Sequence, residues 1–170
     1  GRVLIIGASG KTGRRVADRL AARNIPTRLA SRSGDVRFDW NEPSTWEPAL
    51  AGASVVYLTY APDLAVPSAP GHIEAFATLA QQQGIGRLVL LSGRGERDAQ
   101  RCERIVQAIN PAWTVVRASW FAQNFDEGVF VGMLQQGMLA LPASDVREPF
   151  VDANDIADIV VAALTEPGHA

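Results

Sequence analysis

Val3-Leu4-Ile5-Ile6-Gly7-Ala8-Ser9-Gly10-Lys11-Thr12-Gly13 is the stretch on which the fold turns. Its opening apolar run is the pattern of a strand buried on both faces, and the glycine that ends the run marks a tight turn. Val16 and Leu20 then continue an apolar stripe at helical spacing, so the stretch reads as strand, glycine-rich turn and helix. Each glycine has a mechanical task. Gly7 permits the sharp strand-to-helix turn, Gly10 lets backbone amides approach a bound group without an intervening Cβ, and Gly13 lets the helix pack closely on the sheet. With the positive end of the helix dipole added, the turn suits the pyrophosphate of a dinucleotide.

Short β-branched runs and longer segments of helical period alternate along the rest of the chain, the signature of βαβ units and a parallel sheet. Ile25 to Ala30 reads as a second strand weakened at its start by Pro26, which lacks a ladder donor. Ser31 to Asp35 follow as a loop, Val36-Arg37-Phe38 as a short extended piece, and Pro43 to Trp46 as a helix start. Ala53 to Thr59 restore strand character, and Pro62, Pro67 and Pro70 make the next connection a loop. Ile73, Phe76, Ala77 and Ala80 form a helical stripe that Gly84 and Gly86 end. Arg87 to Leu91 is a buried strand, with Ser92-Gly93-Arg94-Gly95 as the turn at its carboxyl end. Cys102, Ile105, Val106 and Ile109 make a further stripe stopped by Pro111, and Trp113 to Arg117 another strand.

Beyond residue 118 come an aromatic loop from Trp120 to Phe125, a helix to about Gln136 and a hairpin-like piece from Met138 to Leu141. A last helix is headed by Asp152, with Asp155 in its first turn, where acids cap and favour the dipole. The expected fold is α/β, a Rossmann-like doubly wound parallel sheet, with its C-terminal substrate-side part short or truncated. Residues 1–170 are expected to form one domain, in which 118–150 hold a substrate-side loop and helix.

Composition sets limits on function. The 170 residues are 47% hydrophobic, with 16 basic against 18 acidic side chains and a formal charge of −2, the profile of one ordinary globular domain. This charge, without a basic cluster interleaved with aromatics, argues against nucleic acid as a direct ligand. Cys102 has no partner for an internal disulfide, and His72 and His169 alone do not make a zinc set, so a reducing cytoplasm is the expected compartment. Apolar runs such as Val55 to Leu58 fall far short of the ~20 residues that span a bilayer, and no charged-then-apolar leader precedes them. The chain starts at Gly1 rather than methionine and stops at Ala170 just past an apolar helical pattern, as a chain trimmed at both ends would.

Dinucleotide turns that take NAD usually place an acid at the end of the second strand to hold the ribose 2′-hydroxyl. Here Leu29-Ala30-Ser31-Arg32-Ser33 contains no acid and has an arginine instead. Arg32 with Ser31 suits the 2′-phosphate of NADP, with Lys11 assisting as a point charge, so NADP(H) is expected over NAD(H). The alternative is a solvated loop arginine. Asp39 is placed either to meet the adenine amino group or to cap a helix.

Several segments together carry a wider resemblance. Gly7 to Gly13, Phe38-Asp39-Trp40, Leu90-Leu91-Ser92-Gly93, Glu103, Trp113 to Arg117, Trp120 to Phe125 and Phe150-Val151-Asp152 resemble atypical short-chain dehydrogenase/reductase proteins of the NmrA-like and quinone-oxidoreductase type. The resemblance implies a Rossmann fold binding NADP(H), with Thr59, Tyr60, Ala61, Pro62, Ser92 and Gly93 lining the cofactor. It also implies that the Trp120–Phe125 loop faces a substrate cavity, covered by a smaller C-terminal part that is mostly missing here.

One departure bears on mechanism. The wider family protonates an alkoxide with a tyrosine activated by a lysine four residues later. The only lysine here is Lys11, Tyr57 and Tyr60 have Ala61 and Leu64 at that spacing, and Ala99-Gln100-Arg101-Cys102-Glu103 stand where the resemblance puts the pair. Reduction of a quinone does not need such a pair, because the hydroquinone anion takes its proton from water or a weak acid. The expectation is an NADPH-dependent oxidoreductase that reduces a quinone or similar conjugated carbonyl in a slot lined by Trp120, Phe121 and Phe125, with Asn124 orienting the carbonyl. Core packing is the competing reading of those aromatics. The alternative function is a non-catalytic dinucleotide sensor acting through a protein partner. Cys102 reads as a core residue, His72 as a packing residue near the cavity-side loops, and Asp126 and Glu127 as solvated.

Overall fold

A computed structural model describes residues 1–110, 112–128, 130–141, 145 and 147–169 of the chain. In chain order the elements are β1 (Arg2–Ile6), α1 (Lys11–Ala22), β2 (Thr27–Ser31), β3 (Val36–Arg37), α2 (Trp46–Leu50), β4 (Ala53–Leu58) and α3 (Ala69–Gln82). They continue with β5 (Arg87–Gly93), α4 (Arg97–Ile109), β6 (Trp113–Ala118), α5 (Val131–Gln135) and α6 (Ala153–Thr165). The strands form one sheet in the order β3-β2-β1-β4-β5-β6, and every neighbouring pair is parallel. The chain winds outward from β1 to β3, then returns to lay β4 on the other side of β1. That reversal opens a crevice at the carboxyl ends of β1 and β4, where doubly wound sheets bind their ligands.

Alternate residues of each strand supply two separate cores, which is why the strands read as continuous apolar runs. Leu4, Ile6, Val56, Leu58, Leu88 and Leu90 face α2, α3 and α4. Val3, Ile5, Tyr57, Val89 and Val116 face α1 and α6. The first core is aromatic at its β3 end, where Phe76 of α3 meets Phe38, Trp40 and Trp46 edge-on, with centroids 5.6, 5.5 and 6.0 Å away.

Three local readings change. Pro70 lies in the first turn of α3, where a missing N–H costs nothing, and not in the preceding loop. Ser92 and Gly93 are still extended, because they pair with Arg117 and Ala118 of β6. Met138 to Leu141 form no strand; the Met138 amide folds back to the Met133 carbonyl instead, and Met138 and Leu139 stay exposed. Pro111, expected to stop α4, lies outside the described residues. Cys102 is fully buried in the first core, and burial pushes its thiol up to about 11, so it is not a nucleophile.

Candidate active site

The glycine turn behaves as its spacing requires. Gly7 has φ +75°, a conformation that favours glycine, and a Cβ there would also meet Oγ1 of Thr59 at 2.3 Å. A Cβ on Gly13 would fall 2.2 Å from the Gly7 carbonyl oxygen, so only glycine lets α1 lie this close to the turn. The Gly7 and Ala8 amides are taken by the Ala30 carbonyl, and the first helical bond runs from the Arg14 amide to the Gly10 carbonyl. The amides of Lys11, Thr12 and Gly13 are therefore left for a ligand. No side chain caps this terminus and no acid stands in its first turn, leaving its positive end open to a phosphate.

The surrounding residues divide into those that brace the crevice and those that face it. Oγ1 of Thr59 donates to the Ile6 carbonyl at 2.8 Å, tying the ends of β1 and β4 together. Oγ1 of Thr12 accepts from the Tyr57 hydroxyl at 2.9 Å, which fixes this buried side chain at the start of α1. Burial pushes the Tyr57 phenol far above its ordinary value, which takes it out of proton transfer. Tyr60 and His72 share a hydrogen bond of 2.8 Å from the phenol oxygen to Nδ1, and the Tyr60 ring lies 4.9 Å from that of Trp40. Ala61 is exposed beside them.

On the β2 side, a cleft of about 570 Å³ runs past Ala8, Ser9, Leu29, Ser31, Gly34 and Asp35. Arg32, next to Ser31 in the chain, is exposed and makes no hydrogen bond or ion pair with a described residue, whereas Arg28 is spent on the Pro48 and Ala49 carbonyls. Asp39 does not cap a helix: its Oδ1 accepts from the Asn41 amide at 2.9 Å, in a turn beside the Trp40 ring.

On the β5 and β6 side, Ser92 is buried and donates to Oε1 of Glu103 at 2.6 Å, so it has no proton to offer a ligand while Glu103 is ionised. A Cβ on Gly93 would strike the Glu96 carboxylate, which lies over it. Burial, then the charge of Asp63, raises the Glu96 carboxyl above its ordinary value. Burial works against ionised Glu103 too, but hydrogen bonds from Arg117 and Ser92 outweigh it and hold its carboxyl below the usual range. Because the folded value lies below the unfolded one, this network stabilises the fold at neutral pH and loses its effect as pH falls through the carboxylate range. Replacing Glu103 with alanine is expected to cost about 1–3 kcal/mol in urea unfolding at pH 7, and less at pH 4.

The Trp120–Phe125 segment leaves β6 and is pinned in place. Phe121 bridges Val151 in parallel, the Val151 amide donates to the Trp120 carbonyl, and Gln123 bonds both Asp152 and the Ala153 amide at the start of α6. Phe121 is partly buried and packs against the second core. Trp120, Phe125, Phe130 and Phe150 form an aromatic cluster with successive centroids 5.2 to 6.1 Å apart, in which Phe130 is buried and Phe125 half-buried. Trp120 and Phe150 remain 38% and 42% exposed. Phe130 and Phe150 were not visible as partners in the sequence, since residues so far apart carry no joint periodicity.

Glu127 corrects a second expectation. It is not merely solvated: it pairs with Arg14 and takes a bond of 2.6 Å from Arg15, which holds its carboxyl below the ordinary value. The loop after β6 is thus tied to the helix that carries the glycine turn. Lys11 also points this way. A Cβ on Gly128 would lie 3.0 Å from the Lys11 Nζ and 3.1 Å from the Asn124 Cα, which places the ammonium on the β6 side of α1, away from Ser31 and Arg32 on the β2 side.

A doubly wound parallel sheet with an open, uncapped glycine turn at its switch point defines a Rossmann domain that binds a nicotinamide dinucleotide. The chain belongs to the NAD(P)H-binding family, whose model matches residues 7–167, and several of its relatives are described as oxidoreductases or dehydrogenases. It is 31% identical to an uncharacterized oxidoreductase, YesF, of Bacillus subtilis over 96% of this chain and 60% of that protein. It is 26% identical to the NAD(P)H azoreductase of Xenophilus azovorans over 98% of this chain and 64% of that protein. A solved structure of the Citrobacter sp. triphenylmethane reductase with NADP(H) superposes with a TM-score of 0.73 at 17% identity, covering 99% of this chain and 67% of that one. The chain thus spans 60 to 64% of the length of these two curated relatives.

Proposed function

We propose that this chain is the cofactor-binding part of an NADPH-dependent reductase acting on a quinone or similar conjugated carbonyl. The observation that carries the reading is the aromatic cluster of Trp120, Phe125, Phe130 and Phe150, open to solvent at Trp120 and Phe150 and on a loop fastened through Glu127 to the helix of the glycine turn. A flat conjugated acceptor gains dispersion and apolar burial on such a surface. The bound dinucleotide supplies a hydride. The protein's share is to hold the pyrophosphate on the Lys11, Thr12 and Gly13 amides, to fix the ends of β1 and β4 through Thr59, and to seat the acceptor on the aromatic rings. Gly7, Ser9, Gly10, Tyr60, Ala61, Ser92 and Gly93 complete the lining of the crevice. Relatives described as an azoreductase and a triphenylmethane reductase favour conjugated acceptors as a class.

The unpaired Arg32 beside Ser31 supports NADP(H) over NAD(H), and Asp39 stands near enough to β3 to meet the adenine. Arg32→Asp is expected to weaken NADP binding by roughly 30-fold and to leave NAD binding equal or better, as fluorescence titration with NADPH and NADH would read. Equal affinities before and after remove that assignment. A second reading, a dinucleotide sensor without turnover, draws support from the burial of Tyr57 and the engagement of Ser92 by Glu103, which leave neither as a proton donor. Oxidation of NADPH by purified protein in the presence of small quinones separates the two readings.

A further inference from the structure

We propose that the Lys11 ammonium, where it lies beside Asn124 and Gly128, is a receiving site for the acceptor's oxygen, rather than part of the dinucleotide's 2′-phosphate site. The proposal deepens the reductase reading and rests on it for the name of the ligand, but its geometry is independent. The Lys11 ammonium lies beside Gly128 and Asn124, in a spot that a Cβ at residue 128 would crowd. It is half-buried and has no hydrogen bond or ion pair with any described residue. Glu127 feels its charge, but the hydrogen bonds that carboxylate accepts come from Arg14 and Arg15. A partly desolvated cation without a partner stands ready for an anionic oxygen.

The neighbours of that cation say which oxygen. The Asn124 carbonyl accepts the Phe130 amide at 3.2 Å, and Phe125 follows directly, so the ammonium borders the aromatic platform. An aromatic ring lying against Phe125, which buried Phe130 backs, with its oxygen toward Lys11 would meet a full positive charge where negative charge gathers as a carbonyl becomes a phenolate. Lys11 acts in this site by binding the oxygen. The site selects acceptors that bear an oxygen at the edge of a conjugated ring.

The test uses 4-nitrophenol, whose phenolate and phenol differ in absorbance, bound to protein saturated with NADP⁺. Wild-type protein is expected to prefer the phenolate, with the bound probe titrating at lower pH than the free probe. Lys11→Met should weaken phenolate binding about tenfold and abolish that shift, while Lys11→Arg retains most of it. NADP⁺ affinity, measured in parallel by calorimetry, should change by less than about threefold in either variant. A drop in NADP⁺ affinity as large as the loss of phenolate binding would make Lys11 a dinucleotide ligand and overturn the proposal, as would a phenolate affinity indifferent to Lys11→Met. Phenolate binding through Lys11 in a protein that oxidises no NADPH with any quinone would uphold the site and overturn only the reductase reading.

Discussion

Gly13→Ala is expected to abolish useful dinucleotide binding in a protein that still folds. The added Cβ would stand 2.2 Å from the Gly7 carbonyl oxygen, 2.8 Å from its carbon and 3.0 Å from the Ala8 Cα. All three are main-chain atoms, so no rotamer relieves the clash and α1 must back away from the turn by roughly 1 Å to restore van der Waals spacing. Overpacking of this kind costs about 1–3 kcal/mol of stability, which the two cores can absorb. The heavier loss is at the Lys11, Thr12 and Gly13 amides, which no longer converge on one phosphate. A fall of at least about tenfold in NADPH affinity is expected, with cooperative thermal unfolding retained. Unchanged affinity in a folded variant would place the dinucleotide elsewhere.

The largest loss of stability is expected from Phe76→Ala. Phe76 is fully buried, and its ring touches Phe38, Trp40 and Trp46 at once. Deleting it removes a large apolar surface and leaves a cavity walled by indoles that cannot collapse without breaking their own bonds. Trp46 donates from Nε1 to the Asp39 carbonyl at 2.8 Å, and Trp40 to the Thr59 carbonyl at 3.1 Å. The cost is about 3–5 kcal/mol in urea unfolding, or a Tm lower by roughly 10 °C. Since Trp40 also supports Tyr60, NADPH affinity should fall with it. A cost below about 1 kcal/mol would mean that this aromatic knot does not hold the β3 end of the sheet.

The order of strands and helices was legible because both faces of the sheet are buried. Runs such as Val3 to Ile6 and Arg87 to Leu91 then have to be apolar throughout, and the helices between them have to carry one stripe each. The glycine turn was legible for a different reason: Gly7 and Gly13 sit where any side chain collides with the main chain or with Thr59. What escaped was set by partners distant in the chain. Glu127 looked solvated beside Asp126, but its arginines lie more than a hundred residues earlier, at 14 and 15. Trp120 and Phe125 were visible as an aromatic loop, whereas Phe150 joins them through the pairing of Phe121 with Val151 and Phe130 through its amide on the Asn124 carbonyl. Met138 to Leu141 misled for the opposite reason, since an apolar run has no strand character without a neighbour to pair with.

Glu103 shows how a residue can be recognised without being understood. Its place in α4 was quoted as part of a family likeness, yet its work is structural: buried, it holds Ser92 at the end of β5 and draws Arg117 of β6 across to the helix. The ends of β5 and β6 are thereby fixed where the crevice meets the aromatic platform. Rigid support of this kind is what a site needs when the reacting group is a bound cofactor and the protein contributes position.

The most direct measurement is the disappearance of NADPH absorbance on mixing purified protein with NADPH and a series of small quinones, with protein-free mixtures as the reference. Saturable, acceptor-dependent oxidation above the protein-free rate, lost in Gly13→Ala, is the result this account predicts. Tight NADPH binding with no oxidation by any quinone would contradict it.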